Sequence, residues 1–224
     1  MKKLLALASI LWLLYGSAVF AVPGDAVERN AAGTKLLDQG KIEAAIAEFE
    51  KAVAVDPTYI PAQLNLGYGY ERANRIDDAV NVYRKTITLD PSSFFAHNNL
   101  GVLYDRKGLY DQAIAEFQNA LKARPGDPMT QKNLETAQKN KTTAQERERQ
   151  IARAQKQVQA NPTDVKAAYQ LARIYAIHGM KEPALEWLRK AVREGFKDFA
   201  ELKADPGFSS LRDEREFSLL LIGK

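Results

Sequence analysis

Apolar residues along this chain keep the three-and-four spacing of amphipathic helices, and that spacing restarts at a fixed interval. One stretch carries Leu36, Ala45, Phe49 and Ala52, the next Leu66, Tyr70, Ala79 and Tyr83, and a third Leu100, Tyr104, Ala113, Phe117 and Ala120. The breakers recur in phase with them. Asp56-Pro57, Asp90-Pro91 and Arg124-Pro125 stand 34 residues apart, and Gly40, Asn74 and Gly108 divide each interval near its middle. Each interval therefore predicts two helices, joined by a tight turn that accepts a left-handed residue and closed by a proline. Small residues mark where the paired helices touch, with Gly67 facing Ala79 and Gly101 facing Ala113. Tyr70, Tyr83, Tyr104 and Phe117 are expected to fill the space between intervals. Asp77 and Asp111 begin second helices, where negative charge is favourable.

The pattern lapses after Pro125-Gly126-Asp127-Pro128. Met129 to Ala160 reads as helical but polar, with Leu134, Ile151, Ala154 and Val158 as its apolar anchors. The next breaker, Asn161-Pro162, has its proline 37 residues after Pro125 instead of 34. A further copy then returns as Leu171, Ala172, Tyr175, Gly179, Ala184, Leu188 and Ala191, with Phe196 in place of the closing proline. Four spans follow: a leader over 1–21, three repeats over 26–127, a polar degenerate unit or bridge over 128–162, and a fourth repeat with capping helices over 163–224. The apolar tail from Phe199 to Leu221 is expected to cover the last open helix face.

The in-phase residues Leu66-Gly67-x-x-Tyr70, Ala79-x-x-x-Tyr83-x-x-Thr86 and Pro91, with their counterparts from Leu100 to Pro125, resemble the tetratricopeptide repeat family. The resemblance implies an all-α fold, a right-handed solenoid of helical hairpins, and a tail like the endpieces that follow such repeats in bacterial proteins. It also implies that the first helix of each unit lines a groove through positions two, five, six, nine and thirteen. Those positions hold Asn65, Tyr68 and Arg72 in the second unit, and Phe95, Asn98, Asn99, Val102 and Arg106 in the third. Asn65 and Asn99 share one phase, and Arg72 and Arg106 another. Asparagine offers donors and an acceptor to an extended main chain, while arginine forks onto carboxylates. Ala31 and Asp38 interrupt both rows in the first unit. The lysines of the two-carboxylate clamp in chaperone-binding relatives are missing.

The N-terminus changes the expected address. Lys2 and Lys3 precede an apolar run from Leu4 through Tyr15, then Gly16, Ser17 and a cut after Ala21, the layout of a secretory signal. The alternative is a retained anchor, since no charge falls between Lys3 and Asp25. Either reading puts the chain after Gly24 outside the cytoplasm, in the periplasm or secreted. The chain has no cysteine, so its stability rests on packing and not on disulfides.

Composition is that of an ordinary globular protein, 46% hydrophobic and 27% charged. Two of the net +4 charges belong to the leader, too small a bias to imply nucleic acid. The basic stretch from Lys139 to Lys156 has no interleaved aromatics, so it reads as a solvated face; weak contact with an anionic envelope surface is its alternative. His97 and His178 lack converging partners, and no nucleophile motif or phosphate loop is present. No enzyme activity, cofactor or metal is expected. The expected function is a periplasmic scaffold or adaptor holding a protein or peptide in the groove. The alternatives are a homo-oligomeric or wall-associated structural element and an accessory subunit of an envelope enzyme.

Overall fold

The computed structural model describes residues 23–222, so the leader expected over 1–21 lies outside the described residues. Everything regular among the described residues is helical. The order is α1 (Gly24–Asp38), α2 (Ile42–Val55), α3 (Ile60–Arg72), α4 (Ile76–Leu89), α5 (Phe94–Arg106), α6 (Tyr110–Ala123), α7 (Pro128–Ala160), α8 (Val165–Ile177), α9 (Lys181–Arg193) and α10 (Phe199–Ala204). A 3₁₀ turn (Pro206–Leu211) and α11 (Arg215–Leu221) complete it. None of these helices is long and apolar enough to cross a membrane. The described residues divide into two compact units, the first ending at Gln138 and the second starting at Lys139.

In the first unit three helical hairpins follow one another, α1 with α2, α3 with α4, and α5 with α6. Their turns place Gly40, Asn74 and Gly108 at φ of +75°, +58° and +73°, the left-handed region that excludes most side chains. The closing prolines work with their neighbours. Asp56 Oδ1 accepts from the Thr58 amide at 2.9 Å and its hydroxyl at 2.7 Å, and Asp90 does the same for Ser92. These Asx turns stop one hairpin and aim the chain into the next.

Within a hairpin the small residue of the first helix meets an aromatic ring of the second. A Cβ built on Gly67 would fall 2.5 Å from the Tyr83 ring, one on Gly101 2.7 Å from Phe117, and one on Gly33 2.5 Å from Phe49. Sequence reasoning sent the Tyr83 and Phe117 rings between units; both rings lie over the glycines of their own hairpins. All three rings are fully buried, as are Ala45, Ala79 and Ala113.

Helix α7 runs unbroken for 33 residues. Its start is in phase with the repeats, because Pro128 stands 34 residues after Phe94. The position that carries Gly40, Asn74 and Gly108 in the hairpins falls on Thr142, whose branched Cβ opposes a positive φ. With nothing to set the turn, the helix continues. Leu134 and Ala137 pack with Ala113 and Phe117 in the first unit.

In the second unit Ala154 and Val158 of α7 join α8 and α9 in one core, with the turn glycine Gly179 at φ +70°. Phe208, Leu211, Phe217 and Leu220 of the tail are buried in that same core. Tyr169 stacks on Phe196 at 4.8 Å between ring centroids. Its hydroxyl donates to Asp205 Oδ2 at 2.9 Å, and Arg173 Nε donates to the same carboxylate at 2.8 Å.

Candidate functional site

The first helices of the hairpins, α1, α3 and α5, each bury one face and leave the other open. In α3 the buried residues are Ala62, Gln63, Leu66, Gly67, Gly69 and Tyr70, and in α5 they are Ala96, His97, Leu100, Gly101 and Leu103. The opposite face holds positions two, five, six, nine and thirteen, which are neighbours on a helix surface. It carries the candidate binding residues.

These residues are linked to one another. Asn65 Nδ2 donates to Asn30 Oδ1 at 2.9 Å, joining α3 to α1. Asn98 Nδ2 donates to Asn99 Oδ1 at 3.2 Å, and Asn99 Nδ2 donates to the Tyr83 hydroxyl at 3.2 Å. Asn98 Oδ1 in turn accepts from the Thr130 hydroxyl at 3.1 Å and from Asn133 Nδ2 at 3.4 Å. Glu71 lies beside the Tyr83 hydroxyl, close enough for its charge to be felt there. A continuous hydrogen-bonded chain therefore runs from Tyr83 through Asn99 and Asn98 to α7. Each asparagine keeps hydrogen-bonding capacity beyond these contacts.

Tyr68 is 41% and Phe95 52% exposed, so both present ring surface. Arg72 Nη1 donates to the Tyr68 hydroxyl at 3.2 Å with its guanidinium 5.8 Å from that ring. Arg106 is exposed and attracts Glu71. Val102 is half-buried and packs against the core of Phe117 and Ala137.

Sequence reasoning missed Asn30, Glu71, Tyr83, Thr130 and Asn133. One signal was present. Asn133 stands 34 residues after Asn99, as Asn99 does after Asn65, so the row has a third rung on α7. Glu71 gave none, because Leu37 and Asp105 occupy its phase in the other units. Its Oε1 is buried without a hydrogen-bond partner. Burial pushes the Glu71 carboxyl above its ordinary range, against the pull of the Tyr83 hydroxyl and the Arg106 charge. Burial, with Glu71 beside it, pushes the Tyr83 phenol up as well.

Both histidines sit in structural places. His97, 5% exposed, donates from Nε2 to the Pro91 carbonyl at 3.0 Å, and its Nδ1 lies 2.6 Å from Glu116 Oε2. Gln63 fills the equivalent slot, donating to the Pro57 carbonyl at 3.0 Å. His178 ends α8, with Nε2 3.1 Å from Gln150 Oε1. Among the described residues no three of His, Asp or Glu gather where a metal could sit.

Three family models match the chain. Two are described as tetratricopeptide repeat, over residues 64–128 and 142–201, and one as TPR repeat, over residues 33–74. The chain is a tetratricopeptide-repeat protein. Solved structures agree on the fold. A MamA RS-1 double mutant aligns with a TM-score of 0.52 at 20% identity, covering 78% of this chain and 96% of its own. The Sgt2 tetratricopeptide domain from Aspergillus fumigatus gives 0.54 at 17% identity, covering 58% and 87%. The first such domain of Spaghetti (RPAP3), bound to the HSP90 peptide SRMEEVD, gives 0.50 at 20%, covering 51% and 91%. No curated protein matches the chain.

Proposed function

We propose that this tetratricopeptide-repeat protein is an exported scaffold or adaptor, and that the open face of α1, α3, α5 and the start of α7 holds a segment of a partner protein. The observation that carries the reading is the row Asn65, Asn99 and Asn133, at one phase of α3, α5 and α7, flanked by the exposed rings of Tyr68 and Phe95. Asparagines held by neighbours still have donors and acceptors to spare, for which an extended main chain supplies partners. The peptide held by the Spaghetti domain supports the reading by likeness of fold. The leader-like N-terminus supports export.

The double substitution Asn65→Ala with Asn99→Ala tests it. Partners recovered from a periplasmic extract on the wild-type chain should be lost on the variant, while the helical circular dichroism is kept. Recovery of the same partners in the same amounts would sink the proposal.

A further inference from the structure

A second row on the same face says what kind of segment it takes. Position two of the four successive first helices holds Val27, Pro61, Phe95 and Met129, each 34 residues from the last. All four are apolar, and all four are exposed, Met129 at 66%. Side chains this exposed contribute little to the unit's own packing. Single exposed apolar residues are ordinary on a protein surface, but one at the same phase of every helix makes a stripe. Position thirteen carries Arg72 and Arg106 on the same helix faces, both exposed. Arg124 adds a third positive charge, 4.0 Å above the Phe94 ring and 5.0 Å from that of Phe95. The asparagine row lies between the stripe and the arginines in position along each helix.

We infer that the segment held on this face is extended, acidic and apolar, with hydrophobic side chains along Val27, Pro61, Phe95 and Met129 and carboxylates on Arg72 and Arg106. The inference rests on the groove reading above and adds the chemistry of its occupant. An extended strand sends successive side chains to opposite sides of its main chain, which matches two unlike rows flanking a row of asparagines. Guanidinium groups favour carboxylates through paired, charge-assisted hydrogen bonds.

The test uses the full chain and three fluorescein-labelled synthetic peptides of equal length: alternating leucine and glutamate, alternating leucine and lysine, and alternating serine and glutamate. Fluorescence anisotropy should find the leucine–glutamate peptide bound best. Phe95→Ser with Met129→Ser should weaken it about tenfold, roughly the 1.4 kcal/mol of a large interface side chain. Arg72→Glu with Arg106→Glu should weaken the same peptide and strengthen the leucine–lysine one. Equal binding of the serine–glutamate peptide would overturn the apolar row, and equal binding of the leucine–lysine peptide would overturn the acidic half. If the leucine–glutamate peptide fails to bind while a natural partner is still lost on Asn65→Ala with Asn99→Ala, the groove stands and this composition falls. If both fail, both readings fall.

Discussion

Asn65 donates to Asn30 across 2.9 Å, and Asn133 reaches Asn98 across 3.4 Å; in both pairs the partners are 35 residues apart and belong to consecutive first helices. The same link is thus made twice, position six of one helix to position five of the helix before it. Leu64 occupies position five between them, and there Asn99 turns to the Tyr83 hydroxyl instead. The asparagines of the proposed binding face are therefore positioned by their neighbours. Asn99→Ala alone removes its bonds to Tyr83 and Asn98 and should cost roughly 1–3 kcal/mol, read from urea unfolding. A variant as stable as wild type would mean that Asn99 does not hold Tyr83.

Glycine at the hairpin contact is set by the ring above it. Gly101→Leu drives a side chain into Phe117 and should destabilise the first unit by about 1–3 kcal/mol. Gly24→Ala is the control, because a Cβ there has nothing within 4 Å, and it should stay within about 0.5 kcal/mol of wild type. Urea midpoints for the pair check it. Equal midpoints would remove the ring-over-glycine account.

Glu71 makes stability depend on pH in a definite sense. Its carboxyl is raised by burial, so the folded state is relatively favoured while the group is protonated and loses that advantage as pH rises through the raised value. Glu71→Gln should therefore gain on wild type between about pH 4 and pH 7, with the gap closing toward the acid end near the ordinary glutamate value. Urea midpoints across that range decide it. A gap that does not change with pH would contradict the assignment.

Asp205 works in the opposite sense. Burial opposes its charge, yet the Gly207 amide, the Tyr169 hydroxyl and Arg173 hold its carboxyl below the ordinary aspartate range. The stability it adds is present above that range and is lost as pH falls through the lowered value. Asp205→Asn should cost the second unit roughly 1–3 kcal/mol at neutral pH. Hydrogen exchange over residues 165–221 should quicken in the variant and leave residues 60–106 unchanged. Unchanged exchange over 165–221 would show that the carboxylate is dispensable.

The hairpins were legible because three constraints repeat together: a left-handed turn residue, a closing proline and a small residue beneath a ring. Gly40, Asn74 and Gly108 announced their turns. The single helix from Pro128 to Ala160 was harder to read, since its cause is a missing signal, Thr142 where a glycine or asparagine would turn the chain. The proposed binding face was half legible. Recurrence picked out Asn65 with Asn99 and Arg72 with Arg106, but Pro125-Gly126-Asp127-Pro128 hid the register that carries the rows on to Met129 and Asn133. Glu71 and Tyr83 meet only through tertiary packing, and no spacing in the chain foretells their contact.

Photocrosslinking in living cells tests the open face most directly. Photoreactive residues in place of Tyr68 and Phe95 lie on that face and are exposed, while one in place of Lys85 is exposed on α4, a second helix of its hairpin. The first two should join covalently to a common partner protein, at a segment that mass spectrometry reads as acidic and apolar, and the third should not. Crosslinks from position 85 alone, or the same products from all three, would contradict a partner held on the first helices.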